Sequence, residues 1–217
     1  MAVFIKDIYM GFIAKDSGGG DFKQVPAGNY VARCYQLIDL GTHTQDGQFG
    51  KTTNHKIKIS WEILDVDENE QPLTILIDGK DVPLTISKSY TLSLHEKASL
   101  RKDLASWRGR DFSEEEAKAF DVSKLVGAYA MVNVSQDVTN GKTYANVKGL
   151  SPLHNSIKNN KPAGYHENVT FDLDAPDMKV FNSFHEKLQA YIKESPEWAK
   201  SQGVEHVEND ELVDAPF

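Results

Sequence analysis

Apolar and polar residues alternate along five segments of the chain, and this period of two predicts β-strands. In the clearest segment, the isoleucines and Trp61 point to one side, while Lys56, Lys58, Ser60 and Glu62 point to the other. The predicted strands are Asn29 to Leu40, His55 to Val66, Leu84 to Leu94, Gly127 to Gln136 and Lys142 to Leu150. The last two strands flank Asn140-Gly141, a dipeptide that strongly favours a hairpin turn.

The segments between these strands follow other patterns. Residues 41–54, GTHTQDGQFGKTTN, carry three glycines and no apolar period, which predicts a long, mobile hairpin loop. Residues 96–109 have the apolar spacing of a helix that ends at Gly109, and Ser113 is placed to cap a second, shorter helix. Another amphipathic helix is predicted from Met178 to Lys193.

The order of three strands, a helix and a two-stranded hairpin predicts an OB-fold. This is a mainly β fold, a five-stranded, partly open Greek-key barrel with a helix between strands 3 and 4, followed here by a C-terminal helix and a disordered acidic tail. The predicted domains are an N-terminal extension (1–25), the barrel (26–152), a linker with C-terminal helices that pack on the barrel or on a second subunit (153–203), and the tail (204–217).

Composition makes the chain globular and concentrates its charge at one end. The 217 residues are 40% apolar, enough to fill a core. Five of the 32 acidic residues and none of the 24 basic ones lie in residues 204–217. The single cysteine, Cys34, is predicted to be a buried, inert thiol. Since no apolar run is long enough for a signal peptide or a membrane span, we expect a protein of the reducing cytoplasm.

No pattern in the sequence predicts an enzyme, a metal site or a cofactor. The seven histidines lack metal-ligand spacing, and neither a phosphate-binding loop nor a nucleophile elbow is present. The turn with Asp65, Asp67, Glu68 and Glu70 leaves open a magnesium-dependent nuclease. Acidic hairpin turns are much commoner than catalytic clusters, so this alternative ranks last.

Cations and aromatic residues instead predict a groove for single-stranded DNA. Between Lys88 and Arg110 there are six basic and two acidic residues within an acidic chain. Cations neutralise phosphates, and exposed rings stack on bases of any identity. The predicted contacts are Arg33, Lys51, Lys56, Lys58, Lys88, Arg108, Arg110, Lys142 and Lys148 for phosphates, and Tyr35, Tyr90, Tyr129 and Tyr144 for bases. A solvated basic surface with structural tyrosines is the alternative interpretation.

The sequence ends with ENDELVDAPF, in which carboxylates precede an aromatic residue. A partner pocket can take the ring while basic residues on its rim hold the charges, so the segment is predicted to be a protein-docking peptide. Its predicted contact residues are Asp210, Glu211, Asp214, Pro216 and Phe217. The same carboxylates would compete with DNA phosphates for the cationic groove.

These features together resemble single-stranded DNA-binding proteins. The closing Asp214-Ala215-Pro216-Phe217 is similar to the tip of the bacterial members, although Leu212 and Val213 interrupt the acidic run. The stretches ISKSYTLSLHEKASLRKDLASWRGRDF, NGKTYANVKGLSPL and LQAYIKESPEW resemble tailed-phage members, a likeness that covers most of residues 26–200. The resemblance implies coating of single strands in replication, recombination or repair.

The resemblance also implies partners. The tail would recruit replication proteins, such as a polymerase, a helicase or primase, or a recombinase, and a homodimer is possible. The competing hypothesis is a phage or host-factor-binding module that has no nucleic-acid function and uses the tail for docking.

Overall fold

A computed structural model describes residues 23–47 and 50–203. The strands are β1 (Gly28–Gly47), β2 (Gly50–Ile63), β3 (Thr74–Ile77), β4 (Lys80–Pro83), β5 (Thr85–Thr91), β6 (Tyr129–Thr139), β7 (Lys142–Ser151) and β8 (Val169–Phe171). The helices are α1 (Ser99–Arg108), α2 (Glu114–Ala119), α3 (Asn155–Lys158), α4 (Met178–Ser183), α5 (Glu186–Lys193) and α6 (Pro196–Ser201), with a 3-10 turn at Val122–Leu125.

One predominantly antiparallel sheet, in the order β5-β2-β1-β6-β7, organises the molecule. The central strand β1 pairs with β6 through its first residues, with β2 along most of its length, and with β8 in parallel at Gln36 to Ile38. The edge strands β5 and β7 come within 8 Å between Cα atoms, but no hydrogen-bonded ladder joins them in the described chain. The mainly β, antiparallel prediction is confirmed, and the sheet is open rather than a closed barrel.

The inner face of this sheet forms the larger of two cores. Alternate residues of β2 face inward, with Ile57, Ile59 and Trp61 almost fully buried, and α1 packs on them through its apolar face. Cys34 lies in the same core with no exposed surface. Burial raises the pKa of its thiol to about 12, so the predicted inert cysteine agrees with its environment.

A second core joins the C-terminal residues to β1. We call residues 169–203 the C-terminal lobe. Its apolar side chains enclose Ile38 and Leu40 of β1 in a cluster completed by Phe171, Leu173, Phe181, Phe184, Ile192 and Trp198. At its edge, the Glu197 carboxylate accepts hydrogen bonds from the Thr42 backbone N–H (2.8 Å) and hydroxyl (2.5 Å). The lobe is therefore fixed to β1 by burial of apolar side chains and by the hydrogen bonds between Thr42 and Glu197.

Local sequence signals correctly placed several boundaries. Gly109 ends α1 in the left-handed conformation, and Ser113 and Glu116 form a reciprocal capping box on α2. Asn140 and Gly141 have positive φ angles in the β6–β7 turn, as a tight two-residue hairpin requires.

Two predicted elements were wrong. Residues 41–47 and 50–54 are strand and not loop, because β1 and β2 continue to pair as far as Gly47 and Gly50. This hairpin projects beyond the core, so its residues need no apolar alternation. The predicted helix from Met178 to Lys193 is interrupted at Phe184, whose extended backbone (φ −75°, ψ 150°) lets its ring enter the second core. His185 then caps α5 by accepting the Lys187 N–H.

Within residues 23–47 and 50–203, no helix has the length and apolar content needed to cross a membrane.

The second core should contribute substantially to stability. Phe171 is 1% exposed and packs against Phe181 and Phe184. We expect Phe171→Ala to lower the free energy of unfolding by about 3–5 kcal/mol in urea titrations, since it removes a buried ring and leaves a cavity. Met178→Ala, at a 43% exposed position of α4, is the control and should change it by less than about 0.5 kcal/mol. An undiminished stability of the Phe171→Ala variant would contradict this packing.

Candidate nucleic-acid interface

The outer face of β2 and β5 carries lysines and hydroxyls. Because successive residues of a strand alternate between faces, burial of Ile57 and Ile59 places Lys56 and Lys58 outside. Across the ladder, Lys56 lies opposite Thr91 and Lys58 opposite Ser89. We define the lysine–hydroxyl face as Lys56, Lys58, Thr85, Ser87, Ser89 and Thr91. It offers two ammonium groups beside a row of hydrogen-bond donors.

Within residues 23–47 and 50–203, both lysines of this face lack a carboxylate partner. Among the described residues, neither Lys56 nor Lys58 forms an ion pair, although both are half-buried. The neighbour of Lys58 on β1 is Ile38, which lies within the second core. Burial lowers the pKa of the Lys58 ammonium. Burial removes water from this ammonium group, and a bound anion would compensate for the lost hydration. The position of Lys58 therefore favours an anionic ligand.

A shallow polar cavity of about 240 Å³ lies at the Lys56 end of the face. Its lining residues are Gln45, Asn54, Lys56, Ser89, Tyr90, Thr91 and Ser99. Ser99 is the first residue of α1, whose N-cap residue, Ala98, supplies no side-chain hydrogen bond. The cavity thus presents hydroxyl, amide and ammonium groups, a set of donors that suits the oxygens of an anion.

Most of the other predicted cations are engaged in ion pairs. The pairs are Arg33–Glu62 (2.5 Å), Lys88–Asp103 (2.6 Å), Arg108–Glu116 (2.7 Å), Arg110–Glu116 (2.6 Å) and Lys148–Asp137 (3.5 Å). The Arg33 side chain is only 13% exposed and donates to Glu62, Asn168 and the His166 carbonyl, so it is not available for its predicted phosphate contact. Lys88 lies on the inner face of β5, where Asp103 of α1 holds it, and Arg108 covers the Phe112 ring at 4.2 Å. These two side chains stabilise the core surface instead of facing a ligand.

The exposed pairs leave their cations more accessible. The side chains of Arg110 and Lys148 are 60% and 54% exposed, and surface ion pairs of this kind are weak. Lys142 is exposed beside the β6–β7 turn, and Lys51 is exposed on the β1–β2 hairpin. Lys51 lies on β2, Arg110 follows α1, and Lys142 and Lys148 lie on β7, so the structure does not gather all predicted cations on the lysine–hydroxyl face.

Two of the four predicted stacking tyrosines are buried, which makes that prediction wrong for them. Tyr35 is 4% exposed and stacks on His166 with ring centroids 4.6 Å apart, and burial raises its pKa to about 12. Tyr90 is 2% exposed and donates its hydroxyl to Asp103 at 2.7 Å. A β-bulge between Cys34 and Gln36 changes the alternation at Tyr35.

The other two tyrosines differ in their availability. Tyr129 is half-buried and donates its hydroxyl to the Pro162 carbonyl at 2.6 Å, while Lys161 lies 5.4 Å from its ring. Tyr144 is 48% exposed on β7 and keeps a surface on which a base could stack. The predicted tail contacts, from Asp210 to Phe217, lie outside the described residues.

A segment with no signal in the sequence crosses the outer face of the sheet. Residues 161–168 contact Glu62 and Arg33 of the two central strands. Glu62 has no exposed surface and accepts hydrogen bonds from Arg33 Nε and from the backbone and ring nitrogens of His166. The sequence placed Glu62 in an outward polar row but offered no signal that a partner 104 residues away would cover it.

Glu62 is ionised in this environment. Burial acts to raise the pKa of its carboxyl group, but hydrogen bonds from His166 and Arg33 outweigh that effect and hold the pKa below its usual value. The carboxylate is therefore an integral part of the fold at neutral pH.

The acidic turn after β2 has a structural explanation. The Asp65 carboxylate accepts the Val31 N–H at 2.8 Å, and Asp67 accepts the N–H groups of Asn69 and Gln71 at 2.8 and 2.9 Å. These bonds fix the turn with the oxygens that a metal would need. In the part of the chain that the structure describes, no group of three His, Cys, Asp or Glu residues is arranged to hold a metal ion.

No protein-family model matches this chain, and no curated protein matches its sequence.

Replacing Glu62 should reveal its pH-dependent contribution. At pH 7 we expect Glu62→Gln to lower the free energy of unfolding by about 3–5 kcal/mol, because it leaves Arg33 buried without its partner. The folded pKa of Glu62 is depressed, so this contribution is present above its unfolded pKa of about 4.3 and declines as pH falls toward the folded value.

The measurement is urea unfolding of both proteins at several pH values from neutral to strongly acidic. The stability difference should shrink in the acidic range. Glu68→Gln, at an exposed turn position, serves as the control and should unfold like the parent protein. A pH-independent difference for Glu62→Gln would show that the carboxylate charge does not stabilise the fold.

Proposed function

We propose that this protein binds single-stranded DNA without sequence preference and without catalysing a reaction. The observation that carries the proposal is the pair of half-buried lysines, Lys56 and Lys58, which have no carboxylate partner within the described part of the chain and lie on an open sheet face lined by hydroxyls. Phosphate groups would be the anionic partners of these two ammonium groups. Hydroxyls such as Ser89 donate hydrogen bonds to phosphate oxygens without reading the bases.

We infer in addition that the sheet is an OB-fold. Numbered along the chain, β1, β2, β5, β6 and β7 would be its five strands, and the observed order would place the third and fifth at the edges. Helix α1 follows the third strand, as in the fold's usual arrangement, and packs near both edges. In OB-folds, the surface of strands 2 and 3 binds oligonucleotides. Here, that surface is the lysine–hydroxyl face.

The biological role that we propose is the coating and protection of single strands during phage replication, recombination or repair in the host cytoplasm. The acidic tail would recruit replication proteins, with Phe217 entering a partner pocket and Asp210, Glu211 and Asp214 meeting its basic rim. Tyr144, Lys142 and Lys148 on the β6–β7 hairpin would contact the strand away from the central face.

A protein-docking module is the second candidate. The β3–β4 hairpin favours it, because Leu76 is 69% exposed and Ile77 is 45% exposed on the opposite face of the same strand. Absence of nucleic-acid binding, together with a partner protein that is retained in a pull-down and lost on Leu76→Ser substitution, would support this alternative.

Anisotropy titrations with labelled oligonucleotides test the DNA-binding proposal. We expect the parent protein to prefer a single strand to the matching duplex, with affinity that falls steeply as salt rises. Lys56→Ala with Lys58→Ala should weaken binding to all base compositions and reduce the salt slope by about 1 per lost contact. The charge-matched control, Lys179→Ala with Lys187→Ala on exposed helix positions, should bind like the parent.

Equal affinity for duplex and single strand, or no affinity for either, would refute the proposal. Equal losses in the two double variants would show that net charge matters, and not the lysine–hydroxyl face.

Removing the tail should increase DNA affinity. Deletion of residues 209–217 takes away carboxylates that compete with phosphates, so we expect tighter binding at low salt and a smaller gain at high salt. The control is the full chain with Asp210→Asn, Glu211→Gln and Asp214→Asn, which should reproduce the gain while keeping Phe217. Unchanged or weaker binding by the shortened chain would contradict competition.

A further inference from the structure

Residues 161–168 are held on the sheet by a network of hydrogen bonds to Arg33 and Glu62, and we call this network the clasp. Arg33 and Glu62 also form an ion pair with each other. Arg33 donates to the carbonyl of His166 and to the Asn168 side chain, while Glu62 accepts from His166 through both its backbone and its ring. A β-carbon on Gly164 would lie 2.2 Å from the Arg33 guanidinium carbon, so the segment lies directly against that group.

The clasp fixes an aromatic residue that remains on the surface. The backbone N–H of Tyr165 lies 3.2 Å from each Glu62 oxygen, yet the residue is 39% exposed. Its ring meets His166 edge-on at 5.2 Å, and His166 stacks on the buried Tyr35. The three rings therefore form a continuous series from the interior to the solvent, and the backbone of Tyr165 is immobilised without covering the residue.

Tyr165 lies near one end of the lysine–hydroxyl face. Glu62 lies in the same outward row of β2 as Lys56 and Lys58, and its neighbour on β5 is Thr85. Four residues of strand separate Lys58 from Glu62, a distance of about 13 Å. Tyr165 thus lies at the Thr85 end of the face, and the polar cavity lies at the Lys56 end. A single strand lying along β2 would contact the lysines at one end of the face and Tyr165 at the other.

We propose that Tyr165, held by the clasp, stacks on a base of the single strand at the Thr85 end of the lysine–hydroxyl face. This inference rests on the proposed function and assigns a base contact to a face whose own side chains are only cationic or hydroxylic. A ring fixed in advance loses little conformational entropy on binding, and stacking accepts every base. Tyr35, which is covered by His166, and Tyr90, which faces the inner core, are buried and cannot supply this contact.

The test compares the parent, Tyr165→Ala, Tyr165→Phe and Met178→Ala proteins in anisotropy titrations. The probes are a labelled oligothymidylate and an abasic strand of equal length. Tyr165→Ala should weaken oligothymidylate binding by about 5- to 100-fold, which is the usual range for loss of one stacked base. Tyr165→Phe keeps the ring and should bind like the parent, as should Met178→Ala, which removes an exposed apolar side chain of the C-terminal lobe.

The abasic strand separates stacking from a structural effect. It retains phosphates, so Tyr165→Ala and the parent should bind it equally, while Lys56→Ala with Lys58→Ala should weaken binding to both probes. Thermal unfolding of each variant verifies folding. If the parent binds oligothymidylate and Tyr165→Ala binds it equally well, or if the variant loses as much affinity for the abasic strand, the stacking role is refuted and the proposed function stands. If the parent binds neither probe, both proposals are refuted.

Discussion

The rest of the structure depends on the bend of β1, where a bulge between Cys34 and Gln36 changes the strand's partners. Before the bulge, β1 pairs with β6 and contributes to the larger core; after it, β1 pairs with β8 and carries Ile38 into the second core. The bulge thus allows one strand to serve two hydrophobic clusters, and it determines which outer residues stay uncovered.

The pairing of charged residues on the outer face of the sheet follows from the path of β1. The segment of residues 161–168 crosses the sheet near the bulge and buries Arg33 with Glu62, an arrangement that is stable only because hydrogen bonds satisfy both groups. Farther along β2, beyond Ser60, the outer row holds Lys58 and Lys56, which form no ion pair with any described residue. An acidic chain therefore keeps a small basic surface, and its acidic residues elsewhere do not neutralise that surface by direct contact within the described residues.

Local rules predicted much of the fold and less of the candidate site. The alternation of apolar and polar residues located the strands and the outward position of Lys56 and Lys58. The turn residues located the β6–β7 hairpin. Both signals are local, since each lies within a few residues of sequence. Tyr35 is buried because His166 from a distant segment stacks on it, and the split at Phe184 depends on a core built from distant segments. The contact between Glu62 and His166 joins residues 104 positions apart, which no local pattern encodes.

The burial of Cys34 has a practical consequence. Its thiol has no exposed surface and ionises only at strongly alkaline pH, so the thiolate that reacts with maleimides is scarcely formed near neutrality. Fluorophores or spin labels can accordingly be attached to cysteines introduced on the surface while the native residue stays in place. Distances between chosen pairs of strands and helices then become measurable in solution without disturbing the larger core.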